Sequence, residues 1–307
     1  MRYFIVSDIH SFCSELKYAL RRAGFNKKNK NHTLIVCGDI FDRGDETIKV
    51  YNYLKSIPKK RCILIKGNHE SLYKKLLNKS FPGRHDFSNG TVKAFCNIAS
   101  IDEEKLNKYY WIEQSFANSL DYDQIEEKLY STWNKIKTIV ANHEVTKWLN
   151  SKQWINYFEV DKYIFVHSFI PAKVKDEWKD THPYKLRSFC YEYRPDWRKA
   201  TDTEWEEATW GDPIENYNYE LFQPEEDKGK VLVVGHWHTS DFYSRLNYIN
   251  IDTQEIYYSK NLIAIDGGVK YNIWTGYLHP QNVLVIDSED FSKCYDKNLN
   301  LLEYIND

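Results

Sequence analysis

The sequence predicts a mixed α/β protein built around a sheet of parallel strands. Three apolar runs rich in β-branched residues, 2–7, 33–37 and 61–66, are separated by segments with the apolar periodicity of helices. Helical crossovers between parallel strands bring the carboxyl ends of those strands to one edge of the sheet. Each run ends in a polar cluster, so we expect the clusters to meet at that edge, where open α/β folds bind ligands.

The N-terminal elements follow from local signals. Apolar spacing predicts a helix over about 12–24, with Gly24 as its C-terminal stop. Asp45 is expected to cap a second helix over about 46–56, and Pro58 ends that segment.

The chain changes character between the third strand and the fourth. Segments 102–114 and 121–150 combine charged and aromatic residues in patterns typical of helices, and 86–91 is rich in turn formers. We interpret 71–160 as a helical insert within a single catalytic domain, 1–307. Two roles remain open for the insert: a packing layer, or a cap over the substrate.

Strands return after the insert. A tryptophan-rich stretch, 176–213, separates two groups of them and ends in a turn at 209–213. The predicted strands are 154–160, 162–166, 230–234, 262–265, 282–287 and 292–296.

The composition argues against several classes of protein. Lys and Arg number 42 against 44 Asp and Glu, a balance that does not favour nucleic-acid or anionic-membrane partners. No apolar run approaches the ~18 residues of a transmembrane helix, and the N-terminus enters a strand without the layout of a signal peptide. The six cysteines form no C-x-x-C pair. We expect a soluble cytoplasmic protein without a membrane partner; the oligomeric state stays open.

The most specific motif, 38–44, follows the second strand. Its terminal glycines permit positive φ and a close approach of the backbone to a ligand, whereas its two carboxylates and one arginine do not belong together in a core. Polar residues in fact follow five apolar strands: Asp8, His10, Asp39, Asp42, Asn68, His69, His167, His236 and His238.

Such a cluster favours metal ions. Buried carboxylates and imidazoles are costly unless they bind cations, and an oxygen and imidazole ligand set favours Mn²⁺, Fe, Zn²⁺ or Co²⁺ over a structural cysteine site. The candidate ligands are too numerous for one ion but suit two ions that share a carboxylate. Two metals about 4 Å apart promote displacement at phosphorus.

Taken together, the motifs resemble those of the calcineurin-like metallophosphoesterases. The Asp-Arg-Gly and His-Glu endings are similar to the branch that holds phosphoprotein phosphatases, lambda-type bacterial and phage phosphatases, and symmetrical diadenosine tetraphosphatases. The segments that carry the resemblance are Asp8-x-His10, 38–44, 67–70, His167, 235–238, the Trp-Ser-Asp-Pro-like turn 210–213 and the Ile-Asp-Thr-Gly-like segment 265–268.

The resemblance implies a four-layer αββα sandwich of two mixed sheets and a pair of divalent metal ions. Mn²⁺ is expected first, with Fe, Zn²⁺, Co²⁺ or Ni²⁺ as alternatives. The implied first site is Asp8, His10, Asp39 and His238; the second is Asp39, Asn68, His167 and His236, with Asp39 bridging.

The resemblance also implies catalytic roles. Metal-bound hydroxide would attack phosphorus, and His69, oriented by Asp42, would protonate the leaving oxygen. Arg43 would hold two phosphate oxygens in its fork, with Asn68 as a further substrate contact.

Two departures from the family pattern concern the substrate. Ser11 stands where the family often has glycine. Protein phosphatases of this branch carry a second arginine after the 210–213 turn, and none occurs between that turn and His236. Arg187, Arg194 or Arg198 could replace it, or these could be plain surface charges.

We therefore expect a dinuclear metal-dependent phosphoesterase that hydrolyses phosphomonoesters, most like a serine/threonine protein phosphatase. The alternative is a symmetrical bis(5'-nucleosyl)-tetraphosphatase or another nucleotide phosphohydrolase; a distant one is a catalytically silent binding module. The expected partner is a phosphorylated protein or a nucleotide. Nucleic acid is not expected, because the chain lacks a basic stripe.

Overall fold

Two large mixed sheets form the centre of the fold. The structure is a computed structural model that describes residues 1–107, 122–182, 185–247, 253–269, 271–272, 277–278 and 280–303. Its strands are β1 Arg2–Val6, β2 His32–Cys37, β3 Cys62–Ile65, β4 Trp154–Ile155, β5 Phe158–Val160, β6 Tyr163–Phe165, β7 Lys173–Val174, β8 Tyr191–Glu192, β9 Val231–Val234, β10 Tyr257–Tyr258, β11 Leu262–Ala264, β12 Tyr271–Asn272, β13 Tyr277–Leu278, β14 Leu284–Asp287 and β15 Cys294–Tyr295.

The first sheet has six strands in the order β15-β14-β1-β2-β3-β4. Strands β1 to β4 are parallel, as the sequence predicts for the first three. Strand β14 pairs antiparallel with β1, and β15 pairs antiparallel with β14. The second sheet has the order β10-β11-β9-β6-β5, with β6, β9 and β11 parallel. The two sheets together carry all five strands that precede the polar clusters.

Both faces of the central strands are covered, which explains their unbroken apolar sequences. In β1, Ile5 faces the second sheet, whereas Phe4 and Val6 face the helices on the outer side. In β9, Val233 faces the first sheet and Leu232 faces the outer layer of the second. The order of layers is therefore helix, sheet, sheet, helix, which confirms the αββα architecture.

Helices pack outside each sheet. Trp133, on the longest of these helices, packs in one apolar cluster with Phe95 and with the outer face of the first sheet. None of the helices in the described ranges combines the length and apolarity needed to cross a membrane. The helices are α1 Cys13–Arg22, α2 Thr47–Lys55, α3 Asn68–Leu77, α4 Arg84–Ser88, α5 Thr91–Ala99, α6 Tyr122–Asn142, α7 Glu144–Leu149, α8 Asp202–Ala208, α9 Pro213–Asn218 and α10 Thr239–Leu246.

One local prediction is wrong, and another is confirmed only in part. Asp45 does not cap α2; its carboxylate pairs with Lys93 at 2.8 Å, and Glu46 occupies the N-cap position without a side-chain cap. Segment 86–91 contains a turn at 89–90, as predicted, but its other residues belong to helices. Residues 86–88 are helical because the Asp86 carboxylate accepts the backbone N–H of Gly83 and starts α4.

Other boundaries also differ from those predicted. The predicted strand 154–160 is two strands, since β4 joins the first sheet and β5 the second. Helix α1 ends at Arg22 with Ala23 as its C-cap, and the predicted stop, Gly24, follows directly with φ 80°. Part of the predicted helix 102–114 lies outside the described residues.

Replacing Ile5 with alanine should lower the free energy of unfolding by about 3 kcal/mol, because Ile5 lies fully buried between the two sheets. Urea denaturation followed by circular dichroism measures this loss. Ile139→Ala is the control: Ile139 on α6 is 36% exposed, so the change should stay within about 0.5 kcal/mol. Equal losses in the two variants would contradict the proposed packing.

Candidate metal centre

The ends of β1 and β2 are joined by backbone hydrogen bonds that bring their polar residues together. The N–H of Asp8 donates to the carbonyl of Gly38 at 3.2 Å, and that of His10 donates to the carbonyl of Asp39 at 3.0 Å. The N–H of His236, after β9 of the second sheet, donates to the Asp8 carboxylate at 3.0 Å. Both sheets therefore contribute to one site.

The backbone of these strand ends is unusual. Twelve non-glycine residues in the described ranges have φ between 45° and 75°, and seven of them follow β1, β2 or β9. This left-handed region is unfavourable for residues with a Cβ, and it persists where surrounding contacts hold it. The seven are Asp8, His10, Ser11, Asp39, Asp42, Arg43 and His236.

Two glycines make room for the cluster. A Cβ on Gly38, which has φ 82°, would lie 2.6 Å from His167 Nδ1, and one on Gly67 would overlap the Asp39 carboxylate. Ser11 adopts φ 61° and turns its hydroxyl to Thr47 at 3.0 Å.

Asp39 lies at the centre of the site. Its carboxylate oxygens are 3.4 Å from His167 Nε2, 3.7 Å from His69 Nε2 and 3.8 Å from His10 Nε2. Two groups of potential metal ligands share it within the described part of the chain, and in each group the ligand atoms lie within 4.8 Å of one another. The groups are His10, Asp39 and His69, and Asp39, His167 and His236.

Hydrogen bonds fix how two of the imidazoles face Asp39. His10 Nδ1 lies 3.0 Å from the carbonyl of Phe41, and His167 Nδ1 lies 2.8 Å from the carbonyl of Cys37. A carbonyl oxygen can only accept, so each Nδ1 carries a proton, and in the neutral imidazole the Nε2 atom that faces Asp39 keeps its lone pair. His10 Nε2 is buried without a hydrogen-bond partner.

His69 has a different environment. Its Nδ1 lies 2.6 Å from the Asp42 carboxylate, which also accepts a hydrogen bond from the Thr91 hydroxyl at 2.7 Å. Burial lowers the pKa of His69, but the Asp39 and Asp42 carboxylates outweigh it and raise that pKa above its ordinary value.

Burial controls the charge of the other groups. It lowers the pKa of His236 to about 3 and that of His10 well below its usual range, so both imidazoles are neutral near pH 7. Burial also opposes ionisation of Asp39, yet the surrounding histidines, His167 foremost, lower its pKa. The pKa of Asp8 is raised by burial and then by neighbouring carboxylates. The site thus holds the ionised carboxylate of Asp39 beside the uncharged imidazoles of His10 and His236.

Glu70 is a part of the site to which sequence reasoning gave no role. Its buried carboxylate accepts the N–H groups of Asp39 at 3.0 Å, Ile40 at 2.9 Å and Gly67 at 2.7 Å. It therefore ties the end of β2 to the turn after β3. The sequence did contain a signal for this role. Glu70 follows Gly67 by three residues at the start of a helix, which is the spacing of a capping box.

The remaining predicted residues lie in different settings. The side-chain amide of Asn68 lies 2.8 Å from His167 Nε2. When the amide nitrogen faces His167, it also donates to the Asp39 carboxylate at 3.2 Å. The ring of His238 packs against Gly268 and belongs to neither ligand group within the described ranges. Arg43 is exposed, close enough to lower the pKa of His10 and His236.

Two arginines considered for the substrate are held by carboxylates. Arg194 pairs with Asp196 at 2.8 Å and with Glu204 at 2.5 Å. Arg198 binds Glu159 at 2.6 Å and Asp227 at 2.8 Å. Neither arginine contacts the ligand groups among the residues that the structure describes.

The sequence model of the calcineurin-like phosphoesterases matches residues 1–240. The chain belongs to this family. Family membership confirms the resemblance drawn from the motifs. Proteins of this family use a site of two divalent metal ions.

Curated relatives carry nucleotide-related names. A symmetrical bis(5'-nucleosyl)-tetraphosphatase of Buchnera aphidicola is 39% identical over 70 residues, which cover 23% of this chain and 24% of that protein. An asymmetrical bis(5'-nucleosyl)-tetraphosphatase of Oceanobacillus iheyensis is 26% identical over 161 residues, covering 50% of this chain and 60% of the relative. The chain thus spans from a quarter to three fifths of these relatives.

Two solved structures to which the chain is similar bear phosphatase names. A cold-active protein-tyrosine phosphatase of a psychrophilic Shewanella covers 98% of this chain and 79% of its own, at a TM-score of 0.48 and 14% identity. A serine/threonine phosphatase of Saccharomyces cerevisiae covers 100% of this chain and 81% of its own, at a TM-score of 0.44 and 11% identity.

Asp42→Asn should lower the pKa of His69 in the metal-free protein, because a neutral amide no longer stabilises the imidazolium and protonation then needs a lower pH. Imidazole-selective NMR titration measures this pKa directly. Asp45→Asn removes a nearby carboxylate that is 75% exposed and should leave it unchanged. An unaltered or higher His69 pKa in Asp42→Asn would contradict the hydrogen-bonded pair.

Proposed function

We propose that this protein is a dinuclear metal-dependent phosphoesterase that hydrolyses phosphomonoesters, most like a serine/threonine protein phosphatase. The observation that carries the proposal is the position of Asp39, whose carboxylate is shared by two groups of potential ligands from both sheets. A carboxylate in this position is suited to bridge two cations.

The residues fit a pair of metal ions. His10 Nε2 is buried without a hydrogen-bond partner, and His167 Nε2 lies 3.4 Å from the Asp39 carboxylate. Burial of so much carboxylate charge is costly without cations. Asp8, His10, Asp39 and His238 would hold one ion, and Asp39, Asn68, His167 and His236 the other. Such a pair acidifies bound water and neutralises charge on phosphoryl oxygens.

The chain's own groups complete the chemistry. Arg43 is exposed at the site and has no carboxylate partner within the described residues, so its guanidinium is free to hold phosphoryl oxygens. His69, whose pKa is raised by Asp39 and Asp42, would give a proton to the leaving oxygen. Asp42 holds the His69 ring in orientation through Nδ1.

A second candidate is hydrolysis of dinucleoside polyphosphates. Both of the curated relatives described above are named bis(5'-nucleosyl)-tetraphosphatases, and this favours a nucleotide as the natural substrate. The chemistry at phosphorus is the same in both cases, so the candidates differ in the leaving group.

Purified protein loaded with Mn²⁺ should hydrolyse p-nitrophenyl phosphate, and chelation should abolish the activity because the ligands then hold no cation. Asp39→Asn should reduce kcat by about 1,000-fold or more and weaken metal uptake measured by calorimetry. His69→Ala should lower kcat by about 100-fold, because His69 acts as the general acid. Metal uptake should persist in this variant, because His69 is not one of the proposed ligands. Normal turnover in Asp39→Asn would exclude the proposal.

A substrate panel separates the two candidates. Phosphoserine and phosphothreonine peptides, nucleotides and diadenosine tetraphosphate are compared by kcat/KM with Mn²⁺, Zn²⁺, Co²⁺ and Ni²⁺. A protein phosphatase should prefer the phosphopeptides. Preferential cleavage of diadenosine tetraphosphate into two ADP molecules would instead establish the second candidate, because it requires attack at a central phosphorus.

A further inference from the structure

Cations gather on one face of the molecule, although the whole chain is close to neutral. Two stretches, 16–38 and 47–69, contain no aspartate or glutamate, and each of them contains six lysines and arginines. They fold into most of α1, the loop after it, β2, α2, the 3₁₀ turn Lys59–Arg61 and β3. Charge is therefore segregated along the chain, and the fold decides where these cations meet.

Contacts between the elements join many of these cations into one surface. The Arg61 guanidinium donates to the carbonyl of Lys27 at 2.7 Å, which ties the loop after α1 to the 3₁₀ turn. Lys27 Nζ donates to the Ser56 hydroxyl at 3.0 Å, just after α2. Lys17 Nζ, on α1, lies 5.3 Å from the centroid of the Tyr53 ring on α2. We call this surface the basic face; its principal cations are Arg21, Lys27, Lys28, Lys30, Lys59 and Lys60.

The basic face lies at the amino edge of the first sheet, opposite the metal centre. The loop after α1 leads into the start of β2, and the 3₁₀ turn leads into the start of β3. The candidate metal ligands, by contrast, follow the carboxyl ends of these parallel strands. A ligand on the basic face is therefore separate from the phosphoester that the catalytic residues would hold.

Much of the charge of the basic face is not neutralised. Four of its lysines are exposed and form no ion pair within the described ranges. Carboxylates at the same edge lie in the turn after β14, where Asp287 pairs with Arg2 at 3.0 Å and Asp290 pairs with Lys293 at 2.9 Å. That turn, with the exposed Glu289, is on the β14 side of β1, whereas the lysines are on the side of β2 and β3. The four lysines are Lys28, Lys30, Lys59 and Lys60.

Tyr18 adds an aromatic ring to the basic face. Its side chain is 44% exposed, and the guanidinium carbons of Arg21 and Arg22 lie 5.7 Å and 5.8 Å from its ring centroid. Cations beside an exposed ring suit single-stranded nucleic acid, because the phosphates pair with the cations while unpaired bases stack on aromatic and guanidinium planes.

We propose that the basic face binds single-stranded nucleic acid. The sequence argued against such a partner because its charges balance and no single segment forms a basic stripe. The stripe arises only when α1, its loop and the 3₁₀ turn pack together. An acidic protein would meet the same cations but has no bases to stack on Tyr18. An anionic membrane would favour exposed apolar side chains that enter the bilayer, and α1 offers it a tyrosine between arginines. The proposal goes beyond the phosphoesterase function and does not depend on it.

Salt dependence tests the electrostatic part of the proposal. Fluorescence anisotropy measures binding of a labelled uridine RNA of about 20 nucleotides, and a thymidine DNA of the same length compares the two sugars. The variant that combines Lys28→Gln, Lys30→Gln, Lys59→Gln and Lys60→Gln should reduce the slope of log K against log salt by about 3, because each single-strand phosphate contact contributes about 0.7.

A matched control keeps the same change in net charge. It combines Lys74→Gln, Lys128→Gln, Lys135→Gln and Lys152→Gln, four exposed lysines away from the basic face that form no ion pair within the described ranges. Its slope should equal that of the unaltered protein, and both combined variants should retain p-nitrophenyl phosphate hydrolysis. An equal loss of slope in the two combined variants overturns the proposal.

Tyr18→Ala tests the stacking. Affinity for the single strand should fall about tenfold, the effect of losing one stacked base, while the weaker affinity for duplex DNA stays unchanged. Tyr219→Ala, which removes an equally exposed ring (47%) outside the basic face, should have no effect. Equal affinity for single strand and duplex, with no effect of Tyr18→Ala, overturns the single-strand assignment.

The remaining outcomes are equally decisive. Absence of binding to both strands at low salt overturns the proposal. Binding of polyglutamate or of phosphatidylserine vesicles without binding of either strand also overturns it, because the basic face then serves another polyanion. RNA or DNA binding by a protein that hydrolyses no p-nitrophenyl phosphate supports the basic face and refutes the phosphoesterase function.

Discussion

The Asp39 carboxylate, enclosed by imidazoles and removed from water, is the constraint around which the fold is arranged. An ionised carboxylate in the interior is costly unless positive charge or hydrogen-bond donors surround it. Those partners come from strands of two sheets, so the sheets must stack with their carboxyl edges aligned. The interior apolar layer, which includes Ile5 and Val233, fixes that alignment. Packing far from the site thereby controls the distances between the ligands.

The backbone carries much of this arrangement. Seven residues at the strand ends adopt left-handed conformations that are unfavourable away from glycine. Their cost is offset by hydrogen bonds, notably those of Glu70 to Asp39, Ile40 and Gly67. The candidate ligand atoms are therefore preorganised, because the turns that carry these side chains have few alternative conformations.

Prediction from the sequence succeeded where one local pattern had one physical meaning. Strands β1 to β3 were predicted since both of their faces are covered and their sequences are apolar without alternation. Prediction succeeded only in part at 86–91, where polar residues favour either a turn or a helix cap. The turn covers 89–90, whereas the Asp86 carboxylate makes 86–88 part of a helix. The segment 154–160 was read as one strand, although two sheets divide it.

The sequence by itself determined the fold class, the family resemblance and the polar residues at five strand ends, because these depend on residue type and on position after an apolar run. Tertiary structure decided which side chains face one another. It placed Asp39 between two ligand groups, packed His238 against Gly268, and left Arg187 without a carboxylate while Arg194 and Arg198 acquired theirs. Such pairings join residues that chain spacing does not relate, so only the packed layers specify them.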